Sequence, residues 1–141
     1  MVPVPNRTTV SGKPLMDLVN QGQISQSKLD EIIDRTRKGG AEVVKLLEVG
    51  SAFYGPAASG IEMADSYLND KKKTLPCAAH LNGEYGVTDL YVGVPVIIGS
   101  GGIEQVVELD LDPEEKKHFD TSIEAVNELF DAAKNIDPSL K

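Results

Sequence analysis

Apolar positions along this chain follow one period up to about residue 68 and another from about residue 75. Leu15, Leu18 and Val19 form a short apolar patch ahead of Gln21-Gly22-Gln23. Ser25 or Ser27 then offers an N-cap, and Leu29, Ile32 and Ile33 recur at the spacing that puts side chains on one helix face. Val43, Val44, Leu46 and Leu47 resume that pattern after Gly39-Gly40. A glycine weakens a helix interior by about 1 kcal/mol relative to alanine, so a kink or two abutting helices are expected there. Pro56 suits the first turn of a further helix, where a missing N–H costs nothing. Ala57, Ala58, Ile61, Ala64 and Leu68 give that helix its apolar stripe, and Lys71, Lys72 and Lys73 are expected to close it against the negative dipole end. Residues 1–13 are polar and Pro-rich without a period and read as an extended entry segment.

The second half alternates. Leu75, Cys77, Ala79 and Leu81 share one face of a strand; Leu90, Val92, Val94, Val96 and Ile98 share a second; Ile103, Gln105, Val107, Leu109 and Leu111 share a third, with Glu104, Glu108 and Asp110 opposite. One-sided strands of this kind predict an antiparallel sheet, with Gly99-Ser100-Gly101-Gly102 as a hairpin turn. Gly93 and Pro95 inside the middle strand imply a bulge or an unpaired side. Asp112-Pro113-Glu114-Glu115 is a helix start, and Phe119, Ile123, Val126, Phe130 and Ala133 carry one face out to about Asn135. The order helices, strands, closing helix gives the fold class α+β, one domain over 1–141.

The chain has 141 residues, 40% of them hydrophobic, a net charge of −8 and a single cysteine. That length buries a core, and one cysteine excludes an internal disulfide and suits a reducing compartment, so a cytoplasmic location is expected. No apolar run approaches the roughly 20 residues of a membrane span, and Met1-Val2-Pro3-Val4-Pro5 has neither the basic flank nor the apolar core of a secretory leader. The acidic balance argues against a nucleic-acid partner, because such surfaces concentrate Lys and Arg.

Candidate chemistry is sparse. His118 lies in the charged run Glu114-Glu115-Lys116-Lys117-His118 and reads as a solvated helix position; His80 faces away from Cys77 and Leu81 as a surface strand residue. No spacing supplies either with the orienting carboxylate that a general base needs. Cys77 in an apolar strand reads as an inert thiol, since no cationic neighbour lowers its pKa. The glycines at 99–102 lead into a strand rather than a helix, which removes the dipole a phosphate loop uses. Ser25-Gln26-Ser27-Lys28 matches a serine-hydrolase spacing by chance, with capping the simpler account. One cysteine and two isolated histidines form no zinc set, and the strand carboxylates read as solvated, so no metal is expected. The segment Ser51 to Pro56 is the place for a ligand: it feeds a helix start, where anions are favoured, and its small residues leave room for a flat ring. Tight helix packing explains the same residues.

Several runs together resemble the lactate/malate dehydrogenase family: Met1-Val2-Pro3, Arg35-Thr36-Arg37-Lys38-Gly39-Gly40-Ala41-Glu42, Gly50 to Ser59, Leu75 to Gly86, and Leu90 to Gly102. The resemblance reaches from Met1 to about Asn135 and lies with the malate branch through Ser51-Ala52-Phe53-Tyr54 and Pro76-Cys77-Ala78-Ala79. It implies a C-terminal-domain-like α+β fold, helices on a three-stranded antiparallel sheet with a long closing helix. It also implies an enzyme whose other half binds NAD on a Rossmann fold and whose His–Asp pair and arginines act on a small dicarboxylate, malate or oxaloacetate. The family places those catalytic groups before Met1-Val2-Pro3, so the N-terminal NAD-binding domain is expected to be absent here. No catalytic residue carries over, and Arg7, Arg35 and Arg37 do not stand in for the arginines. What carries over is a pocket wall: Ser51, Ala52 and Pro56 facing nicotinamide and substrate. NAD is then expected in the full-length family but not to bind this chain tightly, and the chain alone to be inactive. The resemblance also implies subunit contacts, hence a homo-oligomer; a non-catalytic self-associating module is the alternative.

Overall fold

The computed structural model describes residues 2–140, which fall into two compact units divided between Gly55 and Pro56. Met1 of the Met1-Val2-Pro3 run lies outside the described residues. In the first unit a short 3-10 turn, Pro5–Arg7, precedes a two-stranded hairpin, β1 (Thr9–Val10) and β2 (Lys13–Pro14). The entry segment is therefore folded rather than extended. Its strands are too short to show a period, and its signal lay in Ser11-Gly12, which take φ of 50° and 79°, the positive angles that two-residue hairpins require. Helix α1 (Leu15–Asn20) follows and buries Leu18.

Helix α2 runs unbroken from Gln26 to Leu47. The Ser25 hydroxyl accepts the Lys28 N–H at 3.2 Å and caps it. Of the two expectations at Gly39-Gly40, a kink or two abutting helices, the second does not hold: a propensity cost of about 1 kcal/mol each is smaller than the loss of ladder bonds that a break would bring. Of the α2 side chains only Leu29 is buried.

In the second unit, α3 (Tyr54–Leu68) leads to a sheet ordered β3-β4-β5, built from Lys73–Asn82, Thr88–Gly99 and Gly102–Val106 with both pairings antiparallel. Lys71 to Lys73 do not close α3. The chain turns at Asn69-Asp70, and Lys73 already starts β3. Register runs straight from Lys73↔Ile98 to Leu81↔Leu90, with Pro76 opposite Pro95. The anticipated bulge is thus not at Gly93 or Pro95. The Pro95 carbonyl still accepts the Val107 N–H at 2.8 Å, and Val106, opposite Val96, is the last residue of β5. Irregularities fall instead at Leu81/Asn82 and Ile97/Ile98. The second brings Val106 to the core side, where Gln105 had been expected in line with Ile103.

The core is the face of β3 and β4 formed by Ala79, Leu81, Leu90, Val92, Val94, Val96 and Ile98, closed by Phe119 of α4 (Pro113–Ile136). Each large side chain so buried contributes roughly 1.5–3 kcal/mol. Asp112 caps α4 in a full capping box with Glu115. At the other end of the sheet Ser66 of α3, fully buried, donates its hydroxyl to Ile98 O at 2.7 Å and accepts the Lys73 N–H at 3.2 Å. One hydroxyl thereby ties α3 to two strands.

Candidate functional site

The loop from Glu48 to Phe53 owes its course to two left-handed residues. Glu48 takes φ 64° as it ends α2, with its N–H bonded to Val44 O at 3.1 Å, and Gly50 takes φ 79°. A Cβ at Gly50 would run into the Phe53 ring, so glycine is required there twice over. Ser51 is exposed and Ala52 half-buried; the Ala52 carbonyl accepts the Gly55 N–H at 3.0 Å, fixing the entry to α3. Pro56 sits exposed in the first turn of α3, followed by the small residues Ala57, Ala58, Ser59 and Gly60. Ser51 and Ala52 belong to the first unit, which runs to Gly55, and Pro56 opens the second. None of the three side chains can move a proton at neutral pH by itself; they can shape a wall.

His80 does have a carboxylate partner, which sequence spacing did not reveal. Its Nε2 lies 3.0 Å from Asp89 Oδ1, and its ring meets Tyr91 edge-on at 5.1 Å. Asp89 is the residue that the Leu81/Asn82 irregularity leaves without a partner across the sheet, with φ 55°. Only the register of the hairpin brings it to His80. The pair is solvated, Asp89 being 91% exposed, and exposed ion pairs contribute little. His118 is exposed on α4 as expected. Cys77 is half-buried with its Sγ 3.4 Å from Met63 Sδ, and burial pushes its thiol pKa up, away from a reactive thiolate.

Arg35 makes a bidentate pair with Glu42, at 2.8 and 3.0 Å, which raises the guanidinium pKa and lowers that of the carboxyl. Glu104 pairs with Lys72 at 3.2 Å, and Glu108 accepts the Tyr85 N–H at 2.6 Å. Among the described residues no three His, Cys, Asp or Glu side chains converge to hold a metal ion. A dinucleotide cradle needs a parallel strand, a glycine-rich turn and a helix N-terminus. Both sheets here pair antiparallel, and Gly99–Gly102 joins strand to strand. The residues present do not fit that group.

The family model for the lactate/malate dehydrogenase alpha/beta C-terminal domain matches residues 1–136. The chain belongs to the lactate/malate dehydrogenase family. It is 63% identical over 140 residues to a malate dehydrogenase from Pelagibacter ubique, covering 99% of this chain and 44% of that protein. The crystal structure of Cryptosporidium parvum malate dehydrogenase superposes with a TM-score of 0.91 at 47% identity, over 96% of this chain and 43% of that one. Lactate dehydrogenase from Eimeria maxima, solved with NADH and oxamate, matches with a TM-score of 0.91 at 43% identity, over 96% and 42%. The chain thus spans less than half the length of these dehydrogenases. As a member of the family's C-terminal-domain group it has the expected α+β fold, with three antiparallel strands and a long C-terminal helix. Among the described residues no helix is long and apolar enough to cross a membrane.

Proposed function

We propose that this chain supplies the substrate-side part of an NAD-dependent malate dehydrogenase, which interconverts malate and oxaloacetate. The observation that supports this most is the 63% identity over 140 residues to the Pelagibacter ubique enzyme. In this reading Ser51, Ala52 and Pro56 line the chamber beside nicotinamide and a small dicarboxylate, excluding water and setting its shape. Proton transfer, carboxylate clamping and dinucleotide binding fall to residues outside the 141. The protein works in the cytoplasm as a homo-oligomer, without nucleic-acid or membrane partners. The exposed apolar side chains that α2 carries near its C-terminal end, Val43, Val44 and Leu46, support self-association, since bare apolar patches are uncommon on monomers.

The 141-residue polypeptide is therefore expected to be inactive alone. Oxaloacetate-dependent NADH oxidation, measured on material verified by intact mass, tests this, and turnover belonging to the 15.1 kDa species would refute it. A chimera joining the unmatched N-terminal part of the Pelagibacter enzyme to this chain is expected to reduce NAD with malate. In that chimera Ala52→Phe is expected to raise KM for the dicarboxylate at least about tenfold, a loss of roughly 1.4 kcal/mol in substrate binding. A folded chimera without activity would count against the assignment.

A further inference from the structure

Asn82 ends β3 and precedes Gly83, and no other asparagine of the chain precedes a glycine. A main-chain nitrogen can approach the amide carbon of the preceding asparagine side chain only where its own residue leaves room, and glycine, lacking Cβ, leaves the most. Gly83 stands at φ 129°, and nothing lies within 4 Å of where its Cβ would be. The ladder is irregular at the same place, with the register shifting between Leu81 and Asn82. The Asn82 N–H donates to Glu84 Oε2, two residues on, at 2.7 Å. Among the described residues no group holds the Asn82 side-chain amide. The following nitrogen has one restraint: the Gly83 N–H donates to Val87 O at 2.8 Å.

We propose that Asn82 is a site of spontaneous deamidation through a succinimide, paced by the opening of the turn that Gly83 and Val87 close. In the opened turn the Gly83 nitrogen attacks Cγ of Asn82. The N–Cγ bond forms, the Cγ–Nδ2 bond breaks, and Nδ2 departs as ammonia with the proton that Gly83 N gives up. Water then opens the ring at either carbonyl. Cleavage at Cγ leaves aspartate; cleavage at the main-chain carbonyl leaves isoaspartate, whose backbone runs through Cγ and is longer by one carbon. Nothing is oxidised or reduced. Turns lie at the low end of local opening free energies, so the folded chain reaches this geometry without global unfolding. Asn127 and Asn135 lie inside α4, where the following nitrogen is bound into the helix ladder.

Incubation of the intact chain in heavy-oxygen water, followed by tryptic mass mapping, tests this. Trypsin releases Thr74–Lys116, in which Asn82 is the sole asparagine. That fragment is expected to exchange one amide for a labelled carboxyl and to separate into aspartyl and isoaspartyl forms. Asn82→Gln keeps an amide but needs a larger ring, and is expected to convert more than about tenfold slower. Tyr85→Phe, which releases the turn from Val107 and Leu109, is expected to convert at least about threefold faster with an unchanged circular dichroism spectrum. A fragment that stays unlabelled after prolonged incubation, or an Asn82→Gln chain that converts as fast as the parent, overturns the site. A Tyr85→Phe chain that converts no faster than the parent overturns the pacing by the turn.

Discussion

At the scale of single residues, Tyr85 shows how one side chain organises a segment without regular structure. It stands at φ 55°, in the short turn between β3 and β4. Its hydroxyl donates to Val107 O at 2.7 Å and accepts the Leu109 N–H at 2.9 Å, while its ring tilts against Phe119 at 4.9 Å. The chain from β5 to α4 is thereby held on the core. Tyr85→Phe keeps the ring and strands both backbone groups, so urea unfolding is expected to show a loss of about 1–3 kcal/mol. Asp70 does similar work at the β4–β5 turn, where its carboxylate accepts the Ser100 N–H at 2.8 Å. That backbone hydrogen bond lowers the Asp70 pKa. A depressed carboxyl contributes stability above its unfolded pKa of about 3.9 and loses it as pH falls through the folded value. Asp70→Asn keeps an acceptor that does not titrate. The melting temperature of that variant is expected to fall less than that of the parent between about pH 5 and about pH 2, and equal falls would exclude the role. None of these contacts was legible beforehand: Tyr85, Asp70 and the His80–Asp89 pair all depend on residues that only strand register and turns bring together.

Elements were more legible than contacts, and the exceptions share a cause. The caps at Ser25 and Asp112 stand where the side-chain chemistry put them, because a cap is satisfied within three residues of itself. Ser25→Ala is expected to cost about 1 kcal/mol in chemical denaturation. The alternation of β3 and β4 likewise became the buried face. Reading failed where one residue of slippage mattered. The Ile97/Ile98 irregularity put Val106 rather than Gln105 on the core side, and β5 stopped at Val106 instead of running on toward Leu111. Gly39-Gly40 misled in the other direction, since a local penalty does not decide whether a long helix stays continuous. Nothing lies within 4 Å of a Cβ at Gly40, so Gly40→Ala is expected to stabilise the protein by about 1 kcal/mol. A loss of stability there would reveal a packing partner on that flank.

At the scale of the whole molecule, the hydrophobic periods determined the fold class and the order of elements. The runs around Ser51–Pro56, Pro76–Ala79 and Leu90–Gly102 determined the family. Both follow from covalent neighbours: a period or a motif is a property of residues close in the chain. Ser51, Ala52 and Pro56 belong to one short segment, and their role as a pocket wall is part of the proposed function. Tertiary structure alone decided which chemistry those parts leave in place. It paired His80 with a solvent-exposed Asp89. It buried Ser66 between two strands and left α2 with a single buried side chain. Those outcomes depend on the register of β3 against β4 and on what packs against each helix, and neither distance is encoded by spacing along the chain.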